Sequence, residues 1–335
     1  MPSSHGNKPK PSEVAAETKR YYIPAIRREY AHRWPTHSYL FHNPLEQLPP
    51  LTSLTQISNP NFYVCSGDPV DLTINWRERE SVRIPFICVA NDKRPGGDWE
   101  TGVVGYEERL CRRSNLSATL STPGPGSEVE SNYPIPSQGG VYSEFVVVFR
   151  GPHDQYAKLN QWYDLPVVSV PPARWPKLVQ SGLKYAFPIE RDLVKNKLRA
   201  ALKICAYYGH RSIVIGDFGL GNNHRNPPQE IAELWREIFL YDPDIRGRFE
   251  HVAFVFEDPN QSTTKLILDD ISKKNKSGSS GSSKGKSKSQ SSASSSSHHG
   301  APTDFDIFQH VFDPTVIQDV MGRTDPRYGI SMLTS

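Results

Sequence analysis

The stretch PGGDWETGVVGYEERLCRRS, residues 95–114, decides the fold. It follows the apolar run RIPFICVA at 83–90, which is typical of a buried strand. It opens with two glycines, which let a backbone approach a ligand closely, and continues into a helix predicted from Tyr106 to Leu116. Glu107 and Glu108 stand at the start of that helix. Carboxylates there can act as general acids or can simply complement the helix dipole.

Strand-like and helix-like segments alternate along most of the chain. This alternation predicts an α/β fold with a largely parallel or mixed sheet. Proline is abundant, with 29 residues, and we expect Pro24 and Pro35 to break the chain after an N-terminal helix capped by Ser12. The predicted strands lie at 62–66, 83–90, 140–150, 166–170, 212–219 and 251–257, and the other predicted helices at 189–209 and 227–240.

Composition divides the chain into a folded body and a low-complexity insert. Residues 272–300 hold 14 serines, six lysines and no acidic residue, and such a segment cannot bury enough apolar surface to offset its chain entropy. We expect 1–11 to be a disordered leader, 12–271 a single domain, 272–302 a disordered insert, 303–320 the end of the same domain, and 321–335 a tail. The lysines of the insert could form a weak import signal or a solvated loop.

Charge and cysteine content narrow the function classes. The net charge of +3 arises from the insert. Without its six lysines, the 39 basic residues of the chain fall to 33, fewer than the 36 acidic residues. We therefore expect no nucleic-acid-binding face on the body. The four cysteines form no C-x-x-C pair, which indicates reduced thiols and no structural zinc site. No apolar run is long enough to span a membrane.

A second glycine loop, GDFGLGNN at 216–223, follows the predicted strand SIVI and precedes a helix. Ligands of open α/β sheets bind at the carboxyl ends of the strands. Two glycine loops there can surround a diphosphate with backbone N–H groups. Either loop can also be a plain turn, and the residues alone leave both interpretations open.

Five stretches occur together in an order and spacing typical of one family. They are EVAAETKRYY, VANDKRPGGDW, GYEERLCRRSNL, NYPIPSQGGVYSEFVVVFRG and HRSIVIGDFGLGNN. They resemble the microbial-type poly(ADP-ribose) glycohydrolases, a branch of the macrodomain fold, over about residues 12–312 without the insert. The most specific family element is three glycines, six to eight residues, and then Gln-Glu-Glu. Here it reads Gly96-Gly97-Asp98, seven residues, and Tyr106-Glu107-Glu108.

The resemblance implies a macrodomain-like three-layer α/β fold with a mixed central sheet, an N-terminal helical extension and an ADP-ribose cleft. Glu108 would be the general acid that protonates the leaving oxygen and then activates water. Glu107 would bond ribose hydroxyls, and Asp68 would accept from the adenine amino group. The remaining ligand-binding candidates are Asn91, Gly96, Gly97, Asp98, Tyr106, Gly219, Leu220, Gly221, Asn222 and Asn223.

Three departures from the family pattern lie around the distal ribose. Asp98 replaces the third glycine, Tyr106 replaces the glutamine, and Asn223 stands where the family has an aromatic residue. These changes put turnover in doubt. His224 and Arg225 could offset the charge of Asp98 or belong to a solvated loop.

The sequence therefore predicts a monomeric, intracellular protein, cytoplasmic or nuclear, that hydrolyses ADP-ribose linkages in poly(ADP-ribose) or on modified proteins. No cofactor or metal is expected. One alternative is a reader that binds ADP-ribose without cleaving it. Another is an interaction protein that binds an unrelated nucleotide and uses the insert as a regulatory tether.

Overall fold

A mixed sheet of seven strands forms the centre of the described part of the protein. The computed structural model describes residues 8–46, 59–278 and 300–322. The strands are β1 Tyr39–Phe41, β2 Asn61–Ser66, β3 Phe86–Val89, β4 Gly140–Arg150, β5 Lys158–Val170, β6 Ser212–Ile215 and β7 His251–Phe256. Their order is β1-β4-β5-β3-β6-β7-β2. The β1–β4 and β4–β5 pairs are antiparallel and the others parallel, so the predicted mixed sheet is confirmed.

Helices cover both faces of the sheet. They are α1 Pro11–Glu17, α2 Ile23–Glu29, α3 Pro69–Glu80, α4 Tyr106–Arg113, α5 Leu116–Leu120, α6 Pro188–Tyr207, α7 Pro228–Tyr241, α8 Thr263–Gly278, α9 Asp304–Val311 and α10 Pro314–Gly322. One apolar cluster packs α6, α7 and α9 on one face, and a second packs α3, α4 and α5 on the other. Alternate residues of β3 point to opposite clusters, because side chains alternate across a strand. The arrangement has three layers.

The N-terminal helix continues through Pro24, against the prediction that this proline would break it. A π-helical turn, Thr18–Tyr22, joins α1 to α2, and the N–H of Ile23 bonds back to the carbonyl of Thr18. The wider turn admits the ring of Pro24, which lacks an N–H to donate. The predicted cap is also wrong: Lys10 is the N-cap, and Ser12 lies inside the first turn.

Element bounds differ from the prediction where tertiary contacts decide them. The predicted helix from Tyr106 to Leu116 is two helices, because Ser114 and Asn115 leave the helical conformation. The side-chain oxygen of Asn115 accepts from the backbone N–H of Val147 at 2.7 Å, and the backbone N–H of Asn115 donates to the carbonyl of Val147. β5 begins eight residues before the predicted strand, since its first half pairs with the long β4.

The chain after residue 300 rejoins the same core. Phe308 of α9 packs against Phe254 and Phe256 of β7, and Phe312 packs against Phe62 of β2. α8 extends to Gly278, past the predicted start of the insert, and residues 279–299 lie outside the described residues. No helix in the described ranges combines the length and the apolar character that crossing a membrane requires.

Candidate active site

Glu107 fastens the first glycine loop, residues 90–105, to α4. Its carboxylate accepts from the N–H of Asn91 at 2.7 Å and from that of Gly96 at 3.2 Å, and the residue is 3% exposed. Burial raises the pKa of Glu107 to about 8, while the two amides favour the charged form and oppose that rise. Both oxygens of Glu107 therefore point at the loop backbone.

Glu108 lies one residue further round the helix and lines an open cleft. Its carboxyl group sits between Gly97 and Gly105: a Cβ at Gly97 would lie 2.5 Å from Oε1, and a Cβ at Gly105 would overlap Oε2. The N–H of Asp98 donates weakly to Oε1 at 3.4 Å. Gly97 has φ +56°, which favours glycine. The two glycines thus leave space for a carboxyl group that reaches the cleft.

Arg112 holds the remainder of the first loop. Its guanidinium, fully buried, donates to the carbonyls of Trp99 at 2.8 Å, Thr101 at 2.9 Å and Val103. The motif LCRRS after the glutamates thus has a physical role, since its Arg112 donates hydrogen bonds to three backbone carbonyls of an irregular loop. The sequence contained this signal, but the loop partner could not be read from it.

The second glycine loop is held by the first residue of α8. The N–H of Gly221 donates to Thr263 Oγ1 at 2.7 Å. Gly219 has φ +77°, and a Cβ there would lie 3.0 Å from Ile231 and 3.2 Å from Asn226. No hydrogen bond within the described residues engages the N–H of Asn222 or Asn223. These two amides are available to an anion in the cleft.

The two loops enclose a cleft at the carboxyl ends of β3 and β6. It consists of adjoining cavities of about 460 Å³ and 340 Å³. The two cavities share Val89, Gly105, Tyr106, Asn222, Asn223 and His224. The larger contains Glu107 and Glu108, and the smaller reaches Asp217 and Arg109. Their combined size suits a dinucleotide-sized ligand.

A comparison of the sequence with known protein families finds a match in the N-terminal part of the chain. Residues 15–151 match the family described as "Microbial-type PARG, catalytic domain". The resemblance seen in the sequence motifs is thereby confirmed. No curated protein matches the chain.

Solved PARG structures share the fold over most of the chain. The poly(ADP-ribose) glycohydrolase from Thermomonospora curvata is 19% identical, covers 78% of this chain and 98% of its own, and has a TM-score of 0.59. The same enzyme bound to the inhibitor ADP-HPD gives 20% identity and a TM-score of 0.57. The enzyme from Deinococcus radiodurans in complex with ADP-ribose gives 22% identity, 75% and 97% coverage, and a TM-score of 0.53. The PARG macrodomain-like fold therefore extends beyond the matched segment.

Most of the residues predicted from the PARG motif lie at the cleft. Asn91, Asp98, Tyr106, Glu107, Glu108, Leu220, Gly221, Asn222 and Asn223 line it. Gly96, Gly97 and Gly219 lie behind its surface. The N–H groups of Gly96 and Gly97 bond within the loop, to Glu107 and to the carbonyl of Arg94. The first loop therefore offers the cleft a carboxyl group rather than a row of amides.

Asp68 does not line the cleft. One of its oxygens caps α3 by accepting from the N–H groups of Val70 and Asp71, both at 2.9 Å, and the other binds Arg113 at 2.7 Å. It borders a separate cavity of about 570 Å³ beside β2. Its role as the adenine acceptor gains no support from this geometry, because its carboxylate is already engaged.

His224 and Arg225 neither offset the charge of Asp98 nor belong to a solvated loop, so both suggestions from the sequence are wrong. Both residues are 8% exposed, so they are not part of a solvated loop. Arg225 pairs with Asp270 at 2.9 Å, and burial lowers the pKa of His224 to about 4, which leaves it neutral. The charge of Asp98 is instead met by Arg94 at 2.5 Å.

Sequence reasoning missed several ionisable groups at the cleft. Asp217, within the quoted GDFGLG, has a buried Oδ1 without a partner among the described residues, and burial raises its pKa to about 8. Arg109 pairs with Glu257 at 2.5 Å beside it. Arg174 lines the cleft close to the glutamates. Metal-binding groups of three or more His, Cys, Asp or Glu do not occur in the ranges that the structure covers.

Proposed function

We propose that the chain hydrolyses O-glycosidic bonds of ADP-ribose, in poly(ADP-ribose) or in protein-linked ADP-ribose. The observation that carries this proposal is the environment of Glu108. It lines the cleft, and its carboxyl group accepts one long bond from the loop backbone, at 3.4 Å, whereas both oxygens of Glu107 accept shorter ones. The family match and the ADP-ribose complexes of the similar bacterial enzymes support it.

Glu108 has the position that a general acid and base requires. In the first step it donates a proton to the leaving oxygen as the bond from that oxygen to the anomeric carbon breaks. Positive charge develops on the ribose and is relieved when water attacks the same carbon. Glu108 then takes a proton from that water, which restores the carboxyl group. One residue suffices for both transfers.

Glu107 and the second loop position the substrate in this proposal. Because both oxygens of Glu107 already accept from loop amides, a ribose hydroxyl can use only a remaining lone pair. The N–H groups of Asn222 and Asn223 would bind the diphosphate, since backbone amides favour anions. The protein would need no metal or cofactor for this chemistry.

A reader that binds ADP-ribose without turnover is the second candidate. Asp98 and Tyr106, two departures from the PARG pattern, both line the cavity that contains Glu108. A negative charge and an added ring there can displace the distal ribose from the acid. The pairing of Asp98 with Arg94 weakens this objection without removing it, because the Asp98 side chain remains 44% exposed.

Two measurements on the unmodified protein decide between these functions. Calorimetry with ADP-ribose tests the cleft, and we expect saturable binding at one site. Release of ADP-ribose from poly(ADP-ribose) tests the chemistry, and we expect multiple turnovers. Binding without release would identify a reader. Absence of both would overturn the ADP-ribose assignment and favour an interaction protein.

The location and assembly of the protein remain predictions. The four cysteines are all unpaired, which agrees with a reducing compartment such as the cytoplasm or nucleus. We expect a monomer, with poly(ADP-ribose) or ADP-ribosylated proteins as the ligand.

A further inference from the structure

Trp175 lies at the boundary between the catalytic cleft and a neighbouring cavity. It lines the 460 Å³ cavity that contains Glu107 and Glu108. It also lines a cavity of about 560 Å³ between the segment after β5 and helix α8. A ligand that extends out of the cleft past Glu108 in this direction therefore crosses the indole ring.

The Trp175 ring is exposed and yet held in place. Its side chain is 55% exposed, while its backbone has φ +52° and its N–H donates to the carbonyl of His224 at 2.7 Å. The guanidinium of Arg225 lies 4.9 Å from the ring centroid, and Asp270 fixes that guanidinium at 2.9 Å. A bulky residue in the left-handed conformation costs free energy, so this exposed ring is maintained at a cost.

The residues around Trp175 combine aromatic rings with positive charge. Arg174 lines the cleft and has neither an ion pair nor a hydrogen bond with any described residue. Lys177 and Phe187 line the outer cavity, where Lys177 Nζ lies 5.8 Å from the ring centroid of Phe187. Phe187 is 51% exposed. Rings for stacking beside cations for phosphate are the composition of a nucleotide-binding groove.

The chemistry of the polymer requires space on this side of Glu108. When an ADP-ribose chain is cleaved, the leaving oxygen is a ribose hydroxyl of the next unit. That unit carries an adenine base and a diphosphate. We propose that Trp175, Arg174 and the adjoining cavity bind the nucleotide of the next unit, the one that carries the leaving oxygen. This inference rests on the proposed function.

Binding by the Glu108→Gln variant separates this subsite from the cleft itself, because that variant cannot turn over its ligand. We expect a two-unit ADP-ribose oligomer to bind this variant more tightly than ADP-ribose does. Adding Trp175→Ala should raise the Kd of the oligomer about 5- to 150-fold, the range of one lost base stack, and should raise the Kd of ADP-ribose by a smaller factor, because the indole borders the cleft that binds that ligand. Trp175→Phe should retain most of the oligomer affinity, and Tyr207→Ala, at another exposed aromatic residue, should change neither Kd.

Four results would overturn the inference, and each does so in a different way. Equal affinity for the oligomer and for ADP-ribose would remove the subsite while leaving the proposed function intact. Equal loss of affinity for both ligands in Trp175→Ala would place the indole in the ADP-ribose site itself, and no loss would show that the indole does not bind the oligomer. If neither ligand binds the Glu108→Gln protein or its parent, the proposed function fails and the inference fails with it.

Discussion

At the residue scale, two adjacent glutamates have different environments because successive helical side chains point about 100° apart. Glu107 faces the loop backbone and is buried, whereas Glu108 faces the cleft. The space for Glu108 depends on Gly97 and Gly105. The position of the Glu108 carboxyl group therefore depends on the absence of a side chain at Gly97 and at Gly105.

Gly105→Ala should reduce turnover with little loss of stability. Its φ is ordinary, so alanine causes no backbone strain, but the new Cβ would overlap Glu108 Oε2. The carboxyl group is the mobile end of its side chain and should move aside, which we expect to lower kcat about 10- to 100-fold, since small misplacements of a catalytic group have effects of this order.

Gly102→Ala is the matched control in the same loop, because a Cβ there meets nothing within 4 Å. It should leave kcat unchanged. Steady-state release of ADP-ribose, with thermal unfolding of each variant, makes the comparison. Equal rates for Gly105→Ala and the parent would show that the position of Glu108 is not critical.

The two glycine loops and the motif spacing predicted the glutamate pair and many residues at the cleft, because within each loop those residues are close in sequence. It did not predict Arg112 at three loop carbonyls, the engagement of Asp68 by Arg113, or Arg94 at Asp98. These pairings depend on how side chains meet in space. A short motif specifies which residues are present and leaves their partners open.

At the element scale, the strands that lie within the sheet were the easiest to predict. β4 and β7 are rich in β-branched and aromatic residues and match the predicted ranges to within a residue. β1, α3 and the π-helical turn were missed, since each is short or polar and is determined by its contacts. The second glycine loop was recognised in the sequence, but its bond to α8, the element after β7, was not predicted.

Asp304→Ala should destabilise the protein and loosen the second glycine loop. The Asp304 carboxylate accepts from the N–H of Thr263 at 2.8 Å and from its Oγ1 at 2.6 Å, and Thr263 Oγ1 in turn accepts from Gly221. Loss of the carboxylate leaves buried donors without partners, each costing about 1–3 kcal/mol. We expect a decrease of this size in the free energy of unfolding, measured in urea, and weaker ADP-ribose binding.

Asp306→Ala is the control two residues away. It removes one side of the capping box of α9 and should cost about 1 kcal/mol or less, without affecting ADP-ribose affinity. If both variants lose the same stability and neither loses affinity, the link from α9 to the glycine loop does not exist.

At the scale of the whole molecule, stability should fall in acid through buried neutral histidines. Burial lowers the pKa of His210 from 6.5 to about 4, and its neutral ring bonds Tyr142 and the carbonyl of Arg83. Because the unfolded chain binds a proton to His210 first, stability is lost as the pH falls from about 6.5 to 4, by up to about 3 kcal/mol.

His210→Gln tests this assignment, since glutamine can keep one donor and one acceptor but does not titrate. The difference in unfolding free energy between parent and variant should shift by about 2–3 kcal/mol in favour of the variant between pH 7 and pH 4. His32→Gln, at an exposed histidine, should follow the parent. A difference that stays constant with pH would contradict the account.

The central claim is that Glu108 is the general acid and base of an ADP-ribose hydrolase, and one measurement tests it most directly. ADP-ribose release from poly(ADP-ribose) is compared between the parent, Glu108→Gln and Glu100→Gln. Glu100 is a half-exposed glutamate of the same loop that pairs with Lys19. We expect Glu108→Gln to lose about 10²- to 10⁴-fold in rate with its ADP-ribose affinity preserved, and Glu100→Gln to match the parent. Release by Glu108→Gln at the rate of the parent would contradict the claim.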